Sequence, residues 1–107
     1  MPNETESPVL DLLGEMTADS VEASSLDPET LMLVRIAALV AVDAPPASYM
    51  MNLAAAKDLG IDDDQVRGVL AAIAPIVGTA RVVSAMGKIV RALGLAIELA
   101  ELEEVEG

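Results

Sequence analysis

Arg81, Ser84, Lys88 and Arg91 recur at spacings of three, four and three, so a helix would gather them into one polar stripe holding half of the protein's six bases. Three cations and a hydroxyl on one face could hold a small anion. They could equally pair with acidic segments of a neighbouring subunit. Ser48, Tyr49 and Asn52 form a second set, with Ser48 and Asn52 four apart. They follow Pro45 and Pro46, where a helix N-terminus would present free N–H groups to a carboxylate. The structural alternative is a capping or back-bonding Ser48, a bridging Asn52 and a packed Tyr49 with its hydroxyl satisfied. Arg35 interrupts an otherwise apolar run from Leu31 to Val42. A charge placed there must be paired or reach water, through a ligand carboxylate or an internal acid. Asp62, Asp63 and Asp64 resemble a metal cluster but stand where a helix begins and acids favour the dipole, so they read as capping and no metal is expected.

Other chemistries are excluded by composition. The 107 residues include no Cys and no His, which rules out thiol redox centres, disulfides and imidazole general bases. No phosphate-binding glycine loop, nucleophile elbow, zinc spacing or calcium loop occurs, and no cofactor is implied. Eighteen Asp and Glu against six Lys and Arg leave a net charge of −12. That field repels nucleic acid and anionic membrane surfaces. The acids are uneven: the first base is Arg35, and ELAELEEVEG at the end carries none. Such runs read mainly as solvated faces.

The elements that must position these residues read as helices. Hydrophobic residues reach 53% with one Tyr and no Phe or Trp, so the core rests on Ala, Leu, Val, Ile and Met, which suits close helix packing. Charge-free runs extend no further than Ala44 to Ala56 and Gly68 to Ala80, short of the roughly 18 apolar residues of a membrane span. MPNETESP has neither a basic region nor an apolar segment, so a cytoplasmic location is expected. Residues 1–7 read as a disordered acidic tail and 8–107 as a single helical domain. A short first helix, capped by Ser7 with Pro8 following, is expected to end near Met16, with TADSVEASS as a linker. Asp27 and Pro28 open a central helix to about Val42 that has no polar face and must be surrounded. A third helix should stop at Gly60, a fourth begins with the capping-box pattern Asp62 and Gln65 and ends at Gly78, and a long last helix follows Thr79. Its Gly87 and Gly94, seven apart, call for close approach of another helix.

The order of these signals over residues 26–91 resembles the carboxymuconolactone decarboxylase family, whose other branch is the AhpD-like alkylhydroperoxidases. LDPETLMLVRIAALVAV is similar to the family's opening helix, APPASYMMNLAAAKDLGI to the active-site helix, DDDQVRGVLAAIAP to the next and VGTARVVSAM to the Gly-x-x-Arg stretch that opens the last. The resemblance implies an all-α, AhpD-like bundle of about five or six helices that oligomerises, as a trimer or hexamer, through helix packing. It also marks Arg81 as the Arg of the Gly-x-x-Arg stretch and the foremost ligand candidate. Peroxidase-type members carry Cys-x-x-Cys-x-x-x-His after a Glu on the preceding helix. Aligned on Gly60, those positions hold Pro45, Ser48 and Asn52; aligned on Leu26, Asp27 and Pro28, they hold Ala44, Ala47 and Met51. The Glu position falls on Met32 or Leu33. Thiol peroxidase activity is therefore not expected. Two readings stand: a decarboxylase-like protein acting on or binding a small carboxylate through Arg81, Ser48, Tyr49, Asn52, Arg35 and Lys88, or a catalytically degenerate oligomeric binding or scaffold module. The pocket of the first would lie between the central, third and last helices.

Overall fold

The computed structural model describes the backbone of residues 7–106 and the side chains of residues 7–94. The expected tail lies, save for Ser7, outside the described residues, as do the side chains of Ile97 and the C-terminal glutamates. Five helices and no strand occur among the described residues: α1 (Pro8–Ala23), α2 (Pro28–Ala41), α3 (Pro46–Asp58), α4 (Asp63–Val77) and α5 (Thr79–Glu106). The all-α bundle expected from composition is what forms.

Three of the junctions follow the chemistry readable in the chain. Asp27 accepts the Thr30 N–H at 2.7 Å, and Pro28 fits the first helical position, where no N–H is needed. Asp62 and Gln65 exchange side-chain to backbone bonds at 2.9 and 3.0 Å, a complete capping box. At the end of α3, Gly60 adopts φ 86°. Its N–H reaches the Lys57 carbonyl at 2.9 Å and that of Ile61 reaches Ala56 at 3.0 Å, closing the helix in a Schellman motif. Ile61 and Ala56 then pack in one apolar cluster, the contact that usually accompanies this ending.

The first helix departs from expectation. It runs through TADSVEA to Ala23 rather than stopping near Met16, and Ser7 makes no side-chain cap bond. The Thr17 hydroxyl donates to the Leu13 carbonyl at 2.9 Å, which satisfies a polar side chain inside the helix. Ser24 accepts the Leu26 N–H at 3.1 Å as the chain turns toward α2. No residue of α1 is buried.

α2 is central. Ile36 and Val40 are fully buried and each anchors one apolar cluster. Ile36 lies with Leu31, Met32, Ala56 and Ile61, and Val40 with Ala44, Tyr49, Leu70, Ala85 and Ala92. The helix is not enclosed within one chain, however, because Val34 and Val42 remain exposed. α5 packs inward through Ala85 and Ala92, seven residues apart and buried, flanked by Val82 and Ile89. Small side chains there let its backbone approach α3 and α2. Gly87 and Gly94 project to the opposite side, where nothing among the described residues lies within 4 Å of an added Cβ. The close approach the glycines suggest is thus not to a helix of the same chain. No helix among the described residues is long and apolar enough to cross a membrane.

Candidate functional site

The C-terminus of α2 is where the polar side chains converge. Asp43, just past the helix, adopts φ 56°, a left-handed conformation that Asp tolerates better than most non-glycine residues. Its N–H bonds to the Val40 carbonyl at 3.1 Å and that of Ala44 to Leu39 at 3.0 Å, the same Schellman pattern as at Gly60 with an acid in place of glycine. That acid has been placed opposite α5. The Lys88 ammonium lies 2.9 Å from Asp43 Oδ1 and 3.1 Å from its carbonyl oxygen. The Ser84 hydroxyl donates to the same Oδ1 at 2.8 Å. Arg81 Nη1 donates to the Ala41 carbonyl at 2.8 Å, one of the carbonyls that a helix end leaves without an intrahelical partner.

Three members of the predicted stripe therefore serve one purpose: cations and a hydroxyl from α5 neutralise the negative end of the α2 dipole and tie the two helices together. The hydrogen bonds from Lys88 and then Ser84 hold the Asp43 carboxyl below the usual carboxylate range, outweighing a small opposing effect of burial. Arg91, the fourth member, is exposed.

Tyr49 closes the inner side of this cluster. Its side chain is fully buried against Val40, Leu70, Ala85 and Ala92, yet its hydroxyl has no hydrogen-bond partner. Burial first, and the Asp43 charge second, push its pKa above the ordinary value. A buried, unpaired hydroxyl is uncommon and calls for an explanation such as a ligand or an ordered water. The expectation that a packed Tyr49 would have a satisfied hydroxyl is corrected here.

The other candidates settle into local roles. Asn52 Nδ2 donates to the Ser48 carbonyl at 2.8 Å within α3. The Ser48 N–H is taken by the Pro45 carbonyl at 3.0 Å, so that donor does not face a ligand. Arg35 reaches α1, donating to Ser20 Oγ at 3.0 Å and the Thr17 carbonyl at 3.4 Å; its partners are neutral oxygens rather than an acid. Asp62 caps α4, and Asp64 pairs with Arg67 at 3.0 Å on the exposed surface.

An open groove lies elsewhere. A groove of about 1040 Å³ runs between α3, α4 and α5, past Leu53, Lys57, Ile61, Val66 and Leu93, and continues beside Leu70, Met86, Ile89 and Val90. The expected position between the central, third and last helices is instead filled by the Tyr49 cluster. Asp43 is a site residue that the sequence analysis does not single out, standing between the end of the central helix and Pro45 and Pro46. An acid at the C′ position where glycine is usual was the available signal.

Chemically, the cluster can hold a charged carboxylate beside an ammonium and a neutral phenol. It contains no thiol or imidazole. The description Carboxymuconolactone decarboxylase family belongs to the family model that matches residues 8–89, well over half of the chain. No curated protein and no solved structure matches the chain.

Proposed function

Because the chain belongs to the carboxymuconolactone decarboxylase family, we propose that it is a thiol-free member working as a homo-oligomeric binding module, a trimer or hexamer, and not as a peroxidase. Peroxide reduction needs a thiolate. The positions that would carry the thiols and imidazole hold Pro45, Ser48 and Asn52, or Ala44, Ala47 and Met51. Met32, one of the two candidates for the relay Glu, is buried among Leu31, Ile36, Ala56 and Ile61, where no proton could be passed. The observation that carries the binding-module reading is the engagement of Arg81, Ser84, Lys88 and Arg35 within the chain. Groups that would grip an acid substrate already have partners, while the open surface is a groove whose apolar residues are bordered by Lys57, Arg67 and Asp62 to Asp64.

The unpartnered Tyr49 hydroxyl favours a second reading, in which a lactone or keto carboxylate displaces Asp43 from Lys88 and Ser84 and reaches the phenol. Thermal shift and CO₂ release across a panel of such acids separate the two. The binding-module reading requires no response, with light scattering giving a mass several times 11.1 kDa. A melting shift that vanishes in Arg81→Ala or Lys88→Met would overturn it in favour of the small acid. Gly87→Leu should weaken the oligomer, by filling the open face of α5, and Glu22→Leu should not.

A further inference from the structure

Among the described residues two extended apolar surfaces lie open, and they do not meet. α1 presents Val9, Leu10, Leu12, Leu13 and Met16 on one side, with Asp11, Glu15, Asp19 and Glu22 on the other. The groove between α4 and α5 presents Val66 and Leu70 from one wall and Met86, Val90 and Leu93 from the other. Within one chain α1 is held to α2 by Arg35, and the groove includes no α2 residue.

We propose that α1 of one copy lies in the α4–α5 groove of a second copy, and that the arrangement is reciprocal. The proposal rests on the homo-oligomeric reading above and selects within it an assembly of two-fold pairs, as in a hexamer of three pairs, over a simple three-fold ring. An isologous pair uses each face once on each subunit and leaves neither exposed. Lengths agree: α1 has 16 residues and α4 has 15, roughly 24 and 22 Å at 1.5 Å per residue.

Areas agree as well. The five α1 side chains and Met86, Val90 and Leu93 are 48–68% exposed. At roughly 60–120 Å² for each fully buried aliphatic side chain, they offer roughly 300–550 Å² of apolar surface per chain. Apolar atoms form about 56–58% of an interface, so a two-fold pair corresponds to roughly 1,000–1,900 Å² in total, the size of a stable one. Charge sets the orientation. α1 carries four acids and no base, and its acidic flank can approach Lys57 on the groove wall, where Asp58 also lies and Arg67 is shared with Asp64. The same flank must stay clear of Asp62, Asp63 and Asp64 at the groove's end.

The absence of cysteine allows a direct test in the full chain. Leu13→Cys and Met86→Cys proteins are prepared separately, mixed, allowed to exchange and mildly oxidised, with light scattering of the unmodified protein alongside. The expected result is a disulfide-linked species of twice the chain mass from the mixture, in excess of that from either variant alone, and its loss when Leu13→Cys also carries Val9→Glu and Met16→Glu. Efficient self-linking of Met86→Cys alone would overturn the proposal by placing α5 against α5. An oligomer with no linking in the mixture would overturn it while leaving the oligomeric reading intact, and a monomer would remove both.

Discussion

Replacing Tyr49 with Phe should make this protein more stable. The side chain is fully buried, its ring packs against Val40, Leu70, Ala85 and Ala92, and its hydroxyl is unpartnered. Burying a hydroxyl without a hydrogen bond costs about 1–3 kcal/mol, whereas Phe keeps the ring and every apolar contact. The expected gain is about 1–2 kcal/mol, and for a domain of this size each kcal/mol raises Tm by roughly 4–8 °C. Tyr49→Ala, which removes the ring, should instead cost about 3–5 kcal/mol. Thermal and urea unfolding followed by far-ultraviolet circular dichroism measure both. The pH dependence adds a second reading of the same residue. Tyr49 has a folded pKa raised above 10.0, so the stability linked to its neutral form is complete below that value and is lost as pH rises through the folded pKa. As the chain has one Tyr and no Trp, phenolate absorbance reports this titration without interference, and the Phe variant should lack that alkaline loss. A Tyr49→Phe protein destabilised by 1 kcal/mol or more would refute the reasoning, since it would mean that the hydroxyl has a partner.

Lys88→Met should lower stability at neutral pH. The Asp43 carboxyl is held low chiefly by Lys88, so its contribution is present above the ordinary value of 3.8 and disappears as pH falls through the folded pKa; the difference in Tm between the two proteins should therefore shrink as the pH is lowered below that ordinary value. Arg35→Met should release α1 from α2 by removing the bonds to Thr17 and Ser20, seen as faster proteolysis between residues 8 and 23 with a Tm change corresponding to less than about 1 kcal/mol. Gly78→Ala should cost about 1–3 kcal/mol in urea unfolding, because φ 92° and ψ 161° lie in a region open essentially to glycine alone.

Local signals carried the reading of the fold, and cross-helix ones did not. Asp27, the Asp62 and Gln65 pair and Gly60 act within four residues of themselves, so their caps could be read directly. The extension of α1 to Ala23 was hidden because Thr17 and Ser20 look like linker residues until one back-bonds inside the helix and the other meets Arg35. The apolar periodicity of α5 was visible, but not its division. Val82, Ala85, Ile89 and Ala92 pack inward while Val83, Met86, Val90 and Leu93 stay exposed, and a helix apolar on two sides gives no sign of which side its own chain will take. The polar stripe was equally visible, and its ambiguity lay in its partner. Asp43 is 38 to 45 residues from Arg81, Ser84 and Lys88 in sequence, and only the packing of α5 across the end of α2 turns a row of possible ligand-binding groups into a helix clamp.

A single residue, Gly78, joins α4 to α5, and this gives the molecule a lever. α5 has 28 residues, roughly 42 Å of nearly rigid rod pivoting on one pair of torsions. Its first half is pinned by Arg81, Lys88, Ala85 and Ala92 to the helices beneath. Were that half freed, a 10° rotation at the pivot would carry the far tip about 7 Å, an arc amplified by rod length alone. The width between α4 and α5 is thus set at Gly78, and the Asp43–Lys88 pair, more than 10 Å along the rod by the same rise per residue, is one of the contacts that hold the rod against the end of α2.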